Sequence, residues 1–301
     1  MSLSQFKIAH KLITGAGAIE QLAAELTRLD IDNPLIVTDA ALVKSGTVEL
    51  ALCQLGGREY EIFDRVLPDP EIAIVEDCMR VYREGGHDGL IGLGGGSAID
   101  IAKSVAAYAG YHGALEDLFG VDQVPRKGPP LIAIPTTAGT GSEVTPVAIV
   151  TTGATTKQGV VSPLLLPDLA LLDADLTLGL PPAVTAATGI DAMVHAIEAY
   201  TSRHRKNPLS DLFAREGLRL LAHNLVAACT DGHNRAAREA MLLGACYAGM
   251  AFANSPVAAV HALAYPLGGH FHLPHGLTNA LMLDPVLAFN LPAAAGLYGE
   301  L

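Results

Sequence analysis

Residues 88–109, DGLIGLGGGSAIDIAKSVAAYA, decide the fold. An apolar run ends in Gly94, Gly95 and Gly96, and a stretch of helical composition follows at once. A strand that enters a helix through glycine opens a βαβ unit. Side chains are missing where a diphosphate needs close backbone approach. The helix N-terminus adds free N–H groups and partial positive charge. The turn is not the GxGxxG dinucleotide fingerprint. Ser97 is suited to cap the helix, and Asp100 completes an S-x-x-D capping box. A tight turn without a ligand explains the same residues as well as a phosphate site does.

The flanking segments repeat the pattern. PLIVTD (34–39), PPLIAIPTT (129–137) and DLALLDADL (168–176) read as further buried strands, so the first half forms a parallel sheet. Asp39 ends one of them. It is either a helix N-cap or the acid that bonds adenosine ribose hydroxyls, which would favour NAD over NADP. IPTTAGTGSEVT (134–145) sets hydroxyls at a strand end, with Thr136, Thr137, Thr140 and Ser142 as candidates for phosphate or ribose contact. A solvated turn is the plain alternative. PVAIVTTGATTKQGVVSP (146–163) suggests a hairpin, whose Lys157 is either a surface lysine or a neighbour of the nicotinamide ribose.

After Pro181-Pro182 alanine, leucine and methionine dominate and strand signals fade. The expected architecture is an α/β N-terminal domain with a parallel nucleotide-binding sheet (1–180), followed by an all-α C-terminal domain (181–301). Within the second half, GIDAMVHAIEAY (189–200) sets Asp191 and His195 four residues apart, on one helix face. A bare carboxylate in so apolar a stretch is costly. Four of the 11 histidines, His261, His270, His272 and His275, crowd into HALAYPLGGHFHLPHG (261–276). One carboxylate with three imidazoles suits iron(II) (Fe2+) or zinc (Zn2+), so Asp191, His195, His261 and His275 form a candidate metal set. Glu198, at i+7, is either a partner behind that set or a surface acid.

Composition narrows the function. Net charge is −12 without a basic run, tryptophan is absent and aromatics make up 5%, which together exclude a nucleic-acid surface. No apolar run of membrane-spanning length lacks charge or proline, so no membrane association is expected. No signal region is evident at the N-terminus, and the expected compartment is cytoplasmic. The four cysteines lack CxxC spacing and read as reduced, buried, small apolar residues.

GGGSAIDIAK, IPTTAGTGSEVT, ATGIDAMVHAIEAY and HALAYPLGGHFHLPHG occur in that order, and through them the chain resembles the iron-containing (group III) alcohol dehydrogenase family, with a dehydroquinate-synthase-like fold. The resemblance runs over essentially the whole chain. It implies a site in a cleft between the two domains, with Asp191, His195, His261 and His275 as metal ligands. It implies NAD held at Gly94, Gly95, Gly96, Ser97, Asp100, Asp39, Thr136, Thr137, Thr140 and Lys157. It implies an alcohol or aldehyde substrate, iron(II) or zinc, and a homo-oligomer, expected to be a dimer. Tyr265 stands where some relatives carry a histidine near the substrate. Tyr265 and His270 are therefore the candidate proton-handling residues, with His270 and His272 equally readable as outer or surface residues. Asp284-Pro285 departs from a Leu-Pro-His segment of relatives, and relatives continue past Leu301, so a truncated helical domain is expected. Rival readings are a hydroxyacid-oxoacid transhydrogenase or maleylacetate-type reductase on the same scaffold, or an inactive metal- or nucleotide-binding fragment.

Overall fold

The computed structural model describes residues 4–153, 156–271 and 273–301. It divides into two compact units. One comprises Ala9–Thr136 and Ser142–Gly179; the other comprises Leu180–Leu301 with Thr137–Gly141 and the N-terminal segment through Ile8.

The first unit runs β1 (Leu12–Thr14), α1 (Leu22–Arg28), β2 (Pro34–Val37), α2 (Ala40–Ser45), α3 (Thr47–Leu52), β3 (Glu61–Phe63), α4 (Ile72–Glu84), β4 (Gly89–Gly94), α5 (Gly96–Ala109), β5 (Gly120–Val121), β6 (Leu131–Pro135), β7 (Val147–Thr152), β8 (Thr156–Val161) and β9 (Leu169–Leu172). Six strands form one sheet in the order β1-β9-β6-β4-β2-β3, and every pairing in it is parallel. Strands β2, β4, β6 and β9 are buried throughout, which explains their continuous apolar runs. Successive residues serve opposite faces: Leu35 and Val37 pack with Val75 and Val105 of α4 and α5, while Ile36 packs with Leu22, Leu26 and Val48 of α1 and α3. The hairpin expected at 146–163 is β7 with β8, paired from Val147↔Val161 to Thr152↔Thr156. The chain passes from β2 outward to β3 and returns to β4 on the other side of β2. The carboxyl ends of β2 and β4 therefore flank a switch point, where ligands of such sheets bind.

The second unit is helical: α6 (Pro182–Thr201), α7 (Pro208–Thr230), α8 (Arg235–Asn254), α9 (Ala259–Phe271) and α10 (His275–Tyr298). Pro182 opens α6 where a missing N–H costs nothing. Asn207 and Asn234 cap α7 and α8 through Ser210 N and Ala237 N. Small residues, Ala196, Ala199, Ala214, Ala248 and Ala251, bring α6, α7 and α8 close together.

Helix α10 continues through Pro285 and Pro292. Each proline frees the carbonyl four residues back. Those carbonyls belong to Leu281 and Ala288, both exposed, where water can serve them. By length and composition α10 is apolar enough to cross a membrane, and its most apolar window is 6% buried. Its first two turns nevertheless bury Thr278 and Asn279 within the helical unit. The cysteines depart from the expectation of four buried thiols: Cys78 and Cys246 are buried, but Cys53 is exposed and Cys229 half-buried.

Candidate active site

In the helical unit, three helices deliver a polar cluster into an apolar surrounding. Helix α6 supplies Asp191, His195 and Glu198, α9 supplies His261, and α10 supplies His275 and Asn279. Gly276 allows the last of these to approach. A Cβ there would lie 2.0 Å from the carbonyl oxygen of Ala187, so α10 starts in backbone contact with α6, one turn before Asp191.

Asp191 Oδ1 lies 3.6 Å from His261 Nε2, 3.6 Å from His275 Nε2 and 3.8 Å from His195 Nε2. The ligand atoms of Asp191, His261 and His275 all fall within 4.8 Å of one another. Atoms bound at about 2.1 Å to one ion in tetrahedral array stand about 3.4 Å apart, so the separations suit a shared cation. The His195 ring stacks on His261, with centroids 4.6 Å apart, and its buried Nδ1 has no hydrogen-bond partner among the described residues. The donor set of one carboxylate and imidazole nitrogens fits iron(II) or zinc.

Burial would raise the pKa of Asp191. The three surrounding imidazoles, His195, His261 and His275, outweigh it and hold the carboxyl well below the usual range. Burial pushes His195 down to about 4 against the pull of Asp191, so its ring is neutral at neutral pH. Burial also opposes charge on His261, but Asp191 and Glu198 prevail and raise it to about 9. Both Glu198 oxygens are engaged: Oε1 accepts from Val260 N at 2.7 Å, and Oε2 meets His261 Nδ1 at 2.6 Å. Of the two readings left open for Glu198, the structure supports the partner behind the set. When the ring is neutral, the pairing keeps its one proton on Nδ1 and leaves Nε2, which faces Asp191, free to bind an ion.

Tyr265 follows His261 by one turn. Its ring stacks on His275 at 5.4 Å with an interplanar angle of 8°, and it is 40% exposed. The structure does not bring His270 to this cluster. It is exposed in the last turn of α9, nine residues from His261 and so about half a turn around the helix. His272 lies outside the described residues. Asn279 escaped the sequence reading, although H-x-x-x-N in HGLTN carries the same i, i+4 spacing as D-x-x-x-H.

In the sheet unit, Gly94 adopts φ +156°, and a Cβ there would meet Ala98 Cβ at 2.8 Å, so only glycine serves. The capping box fails. Gly95 is the N-cap of α5, without a side-chain bond, and Ser97 already lies inside the helix. Asp100 instead accepts from Ser142 Oγ at 2.5 Å and Ile149 N at 3.0 Å. With both oxygens committed to the segment before and within β7, it ties α5 to that segment rather than facing the glycine turn. Fully buried Lys103 completes the tie through Ser142 Oγ, Thr145 Oγ1 and the carbonyls of Thr145 and Val147.

Asp39 caps α2, Oδ1 accepting from Ala41 N and Leu42 N at 2.9 and 3.0 Å. Its Oδ2 takes neither bond and lies 4.0 Å from the Cβ position at Gly94, so the carboxylate borders the glycine turn at the switch point. Buried Thr136 donates its N–H to Gly94 O at 3.0 Å, while Thr137 and Thr140 are half-buried and group with the helical unit. Lys157 is paired with Asp69 at 2.5 Å.

The sequence profile described as iron-containing alcohol dehydrogenase matches residues 9–174, and that described as the C-terminal part of the Fe-containing alcohol dehydrogenase family matches 185–301. Long-chain-alcohol dehydrogenase 1 of Geobacillus thermodenitrificans is 44% identical over 280 residues, spanning 91% of this chain and 70% of that protein. A crystal structure of 1,3-propanediol oxidoreductase superimposes with a TM-score of 0.94 at 38% identity, covering 97% of this chain and 77% of the other. Sulfoacetaldehyde reductase from Bifidobacterium kashiwanohense, solved in complex with NAD+, gives a TM-score of 0.90 at 30% identity, covering 96% and 77%.

Proposed function

Because the chain belongs to the iron-containing alcohol dehydrogenase family, we propose that it moves hydride between NAD(H) and a small primary alcohol or aldehyde at a centre formed by Asp191, His195, His261 and His275. The observation that carries the reading is the approach of three imidazole nitrogens to one carboxylate oxygen at 3.6–3.8 Å, in a buried setting. Iron(II) or zinc held there would act as a Lewis acid, lowering the pKa of an alcohol or polarising a carbonyl.

The chain's own residues have separate tasks. Asp191 supplies the negative charge, and neutral His195 supports the set from the same helix face. Glu198 orients His261. Tyr265, stacked on His275 and partly exposed, is the group that exchanges a proton with solvent at the substrate's edge. Among the described residues, no contact supports a comparable task for His270.

For the cofactor, the turn Gly94–Gly96 with Ser97 receives the diphosphate through backbone N–H groups at the start of α5. Asp39 Oδ2 takes the adenosine ribose hydroxyls, which selects NAD. Thr136, Thr137 and Thr140 hold the family's cofactor-contacting positions, and Lys157 reaches the nicotinamide ribose only by leaving Asp69. Asp100 serves the cofactor indirectly, by fixing α5. The substrate is the least constrained element: the similar proteins are named for long-chain alcohols, 1,3-propanediol and sulfoacetaldehyde.

The test is anaerobic purification with metal analysis, followed by a screen of alcohols and aldehydes with NAD(H) and NADP(H). The His261→Ala variant should lose bound metal and turnover while retaining NAD binding. A variant that keeps its iron refutes the ligand assignment.

A further inference from the structure

We propose that Asn279 is a positioning residue that fills the ion's place in the metal-free centre, holding the ligands apart and ready, and that it withdraws when the ion enters. The inference rests on the metal reading above. Asn279 is wholly buried and follows His275 by four residues on α10, so the two side chains leave one helix face together.

Its Nδ2 lies 2.5 Å from Asp191 Oδ1, 3.2 Å from His261 Nε2 and 3.4 Å from His275 Nε2. These are the atoms whose mutual spacing suits a shared cation. An amide nitrogen carries two hydrogens with partial positive charge. It is a small, neutral substitute for a cation, donating to a carboxylate that would otherwise be buried beside it at high cost.

The other end of the amide argues the same way. Asn279 Oδ1 is buried and has no hydrogen-bond partner among the described residues. The Nδ2 contacts alone therefore decide the orientation. Turning the amide round would set its oxygen against Asp191 Oδ1, which is repulsive while no ion is present. An ion among the three ligand atoms reverses that preference, because it repels the amide hydrogens and attracts the oxygen. Asn279 thus favours the metal-free state over the loaded one. By linkage, it makes the ion bind less tightly than the same ligands would without it.

The experiment compares wild type with Asn279→Ala, both stripped by chelator and returned to buffer. Thermal unfolding is recorded without metal and with saturating Zn2+, and zinc affinity is measured by competition with a chromophoric chelator at fixed pH. The metal-free variant is expected to melt below metal-free wild type, with a larger zinc-induced rise. Its zinc affinity should be about tenfold tighter, the scale of one hydrogen bond to a charged group. Asn279→Ser, which retains a small donor, should fall between the two and covers the case in which the alanine variant does not fold. An equal loss in both forms with unchanged zinc affinity makes Asn279 merely structural and overturns the proposal. Weaker zinc binding overturns it too, because Asn279 would then help to hold the ion. Wild type that takes up no zinc overturns the metal reading itself, and this inference with it.

Discussion

Replacing Glu198 by glutamine exchanges one carboxylate oxygen for an NH2 group and leaves the ligands untouched. The carboxylate accepts two bonds, from Val260 N at 2.7 Å and His261 Nδ1 at 2.6 Å. Glutamine keeps the shape but offers one acceptor and one donor group. With its oxygen on Val260, its NH2 faces His261 Nδ1. The ring must then carry its proton on Nε2, the atom that an ion needs. With the amide reversed, the buried Val260 N–H is left facing another N–H, a cost of about 1–3 kcal/mol. Either outcome reaches the centre. Loss of an outer partner of this kind weakens metal binding by about 10–100-fold, equivalent to about 1.4–2.7 kcal/mol. The assay is zinc or iron(II) affinity of the stripped Glu198→Gln protein by chelator competition, with circular dichroism to verify its fold. A folded variant that binds metal as tightly as wild type refutes the argument that Glu198 sets the His261 tautomer.

Three further outcomes are expected. Asp39→Gly removes the carboxylate beside the glycine turn, and the preference for NAD over NADP, measured as a ratio of kcat/KM values, should fall by about tenfold, a change of about 1.4 kcal/mol; an unmoved ratio leaves Asp39 as a cap of α2 alone. Gly276→Ala forces a methyl to within 2.0 Å of Ala187 O, so α10 must shift, at about 1–3 kcal/mol in denaturant unfolding and with weaker metal retention; wild-type values for both show that the close approach is dispensable. Lys103 supplies a pH signature. Burial, opposed by Asp100 and Glu143, lowers it to about 8 from 10.5. Between those values the unfolded chain binds a proton that the folded chain does not, so stability rises with pH across that window and is flat below it. Relative to Lys103→Met, wild type should gain up to about 3 kcal/mol in unfolding free energy from pH 8 to 10.5; parallel curves for the two proteins rule out this burial effect.

The sheet was legible because its strands are buried on both faces: PLIV, GLIGLG and LIAIP are apolar without alternation, and glycines mark the crossing into α5. The pairing of Asp191 with His195 was legible because i, i+4 spacing is local. What failed was non-local. Asp100 has the spacing of a capping residue, yet its partners, Ser142 and Ile149, lie more than 40 positions away, and no local pattern reports them. His270 shares a histidine-rich stretch with His261, but helical phase turns it to solvent. Asn279 hid because a neutral amide attracts no attention beside four ligands.

Helix α6 grips both nitrogens of one imidazole: Asp191 faces His261 Nε2, and Glu198 holds Nδ1. Seven residues advance the helix by about 10.5 Å and return it to within about 20° of the same direction. Inserting or deleting a single residue between them would swing one carboxylate away by about 100°. The stretch 191–198, buried or half-buried throughout, should therefore tolerate no change of length, a constraint that the loop joining α7 to α8 escapes. The ruler here is a single imidazole ring, held at both of its nitrogens.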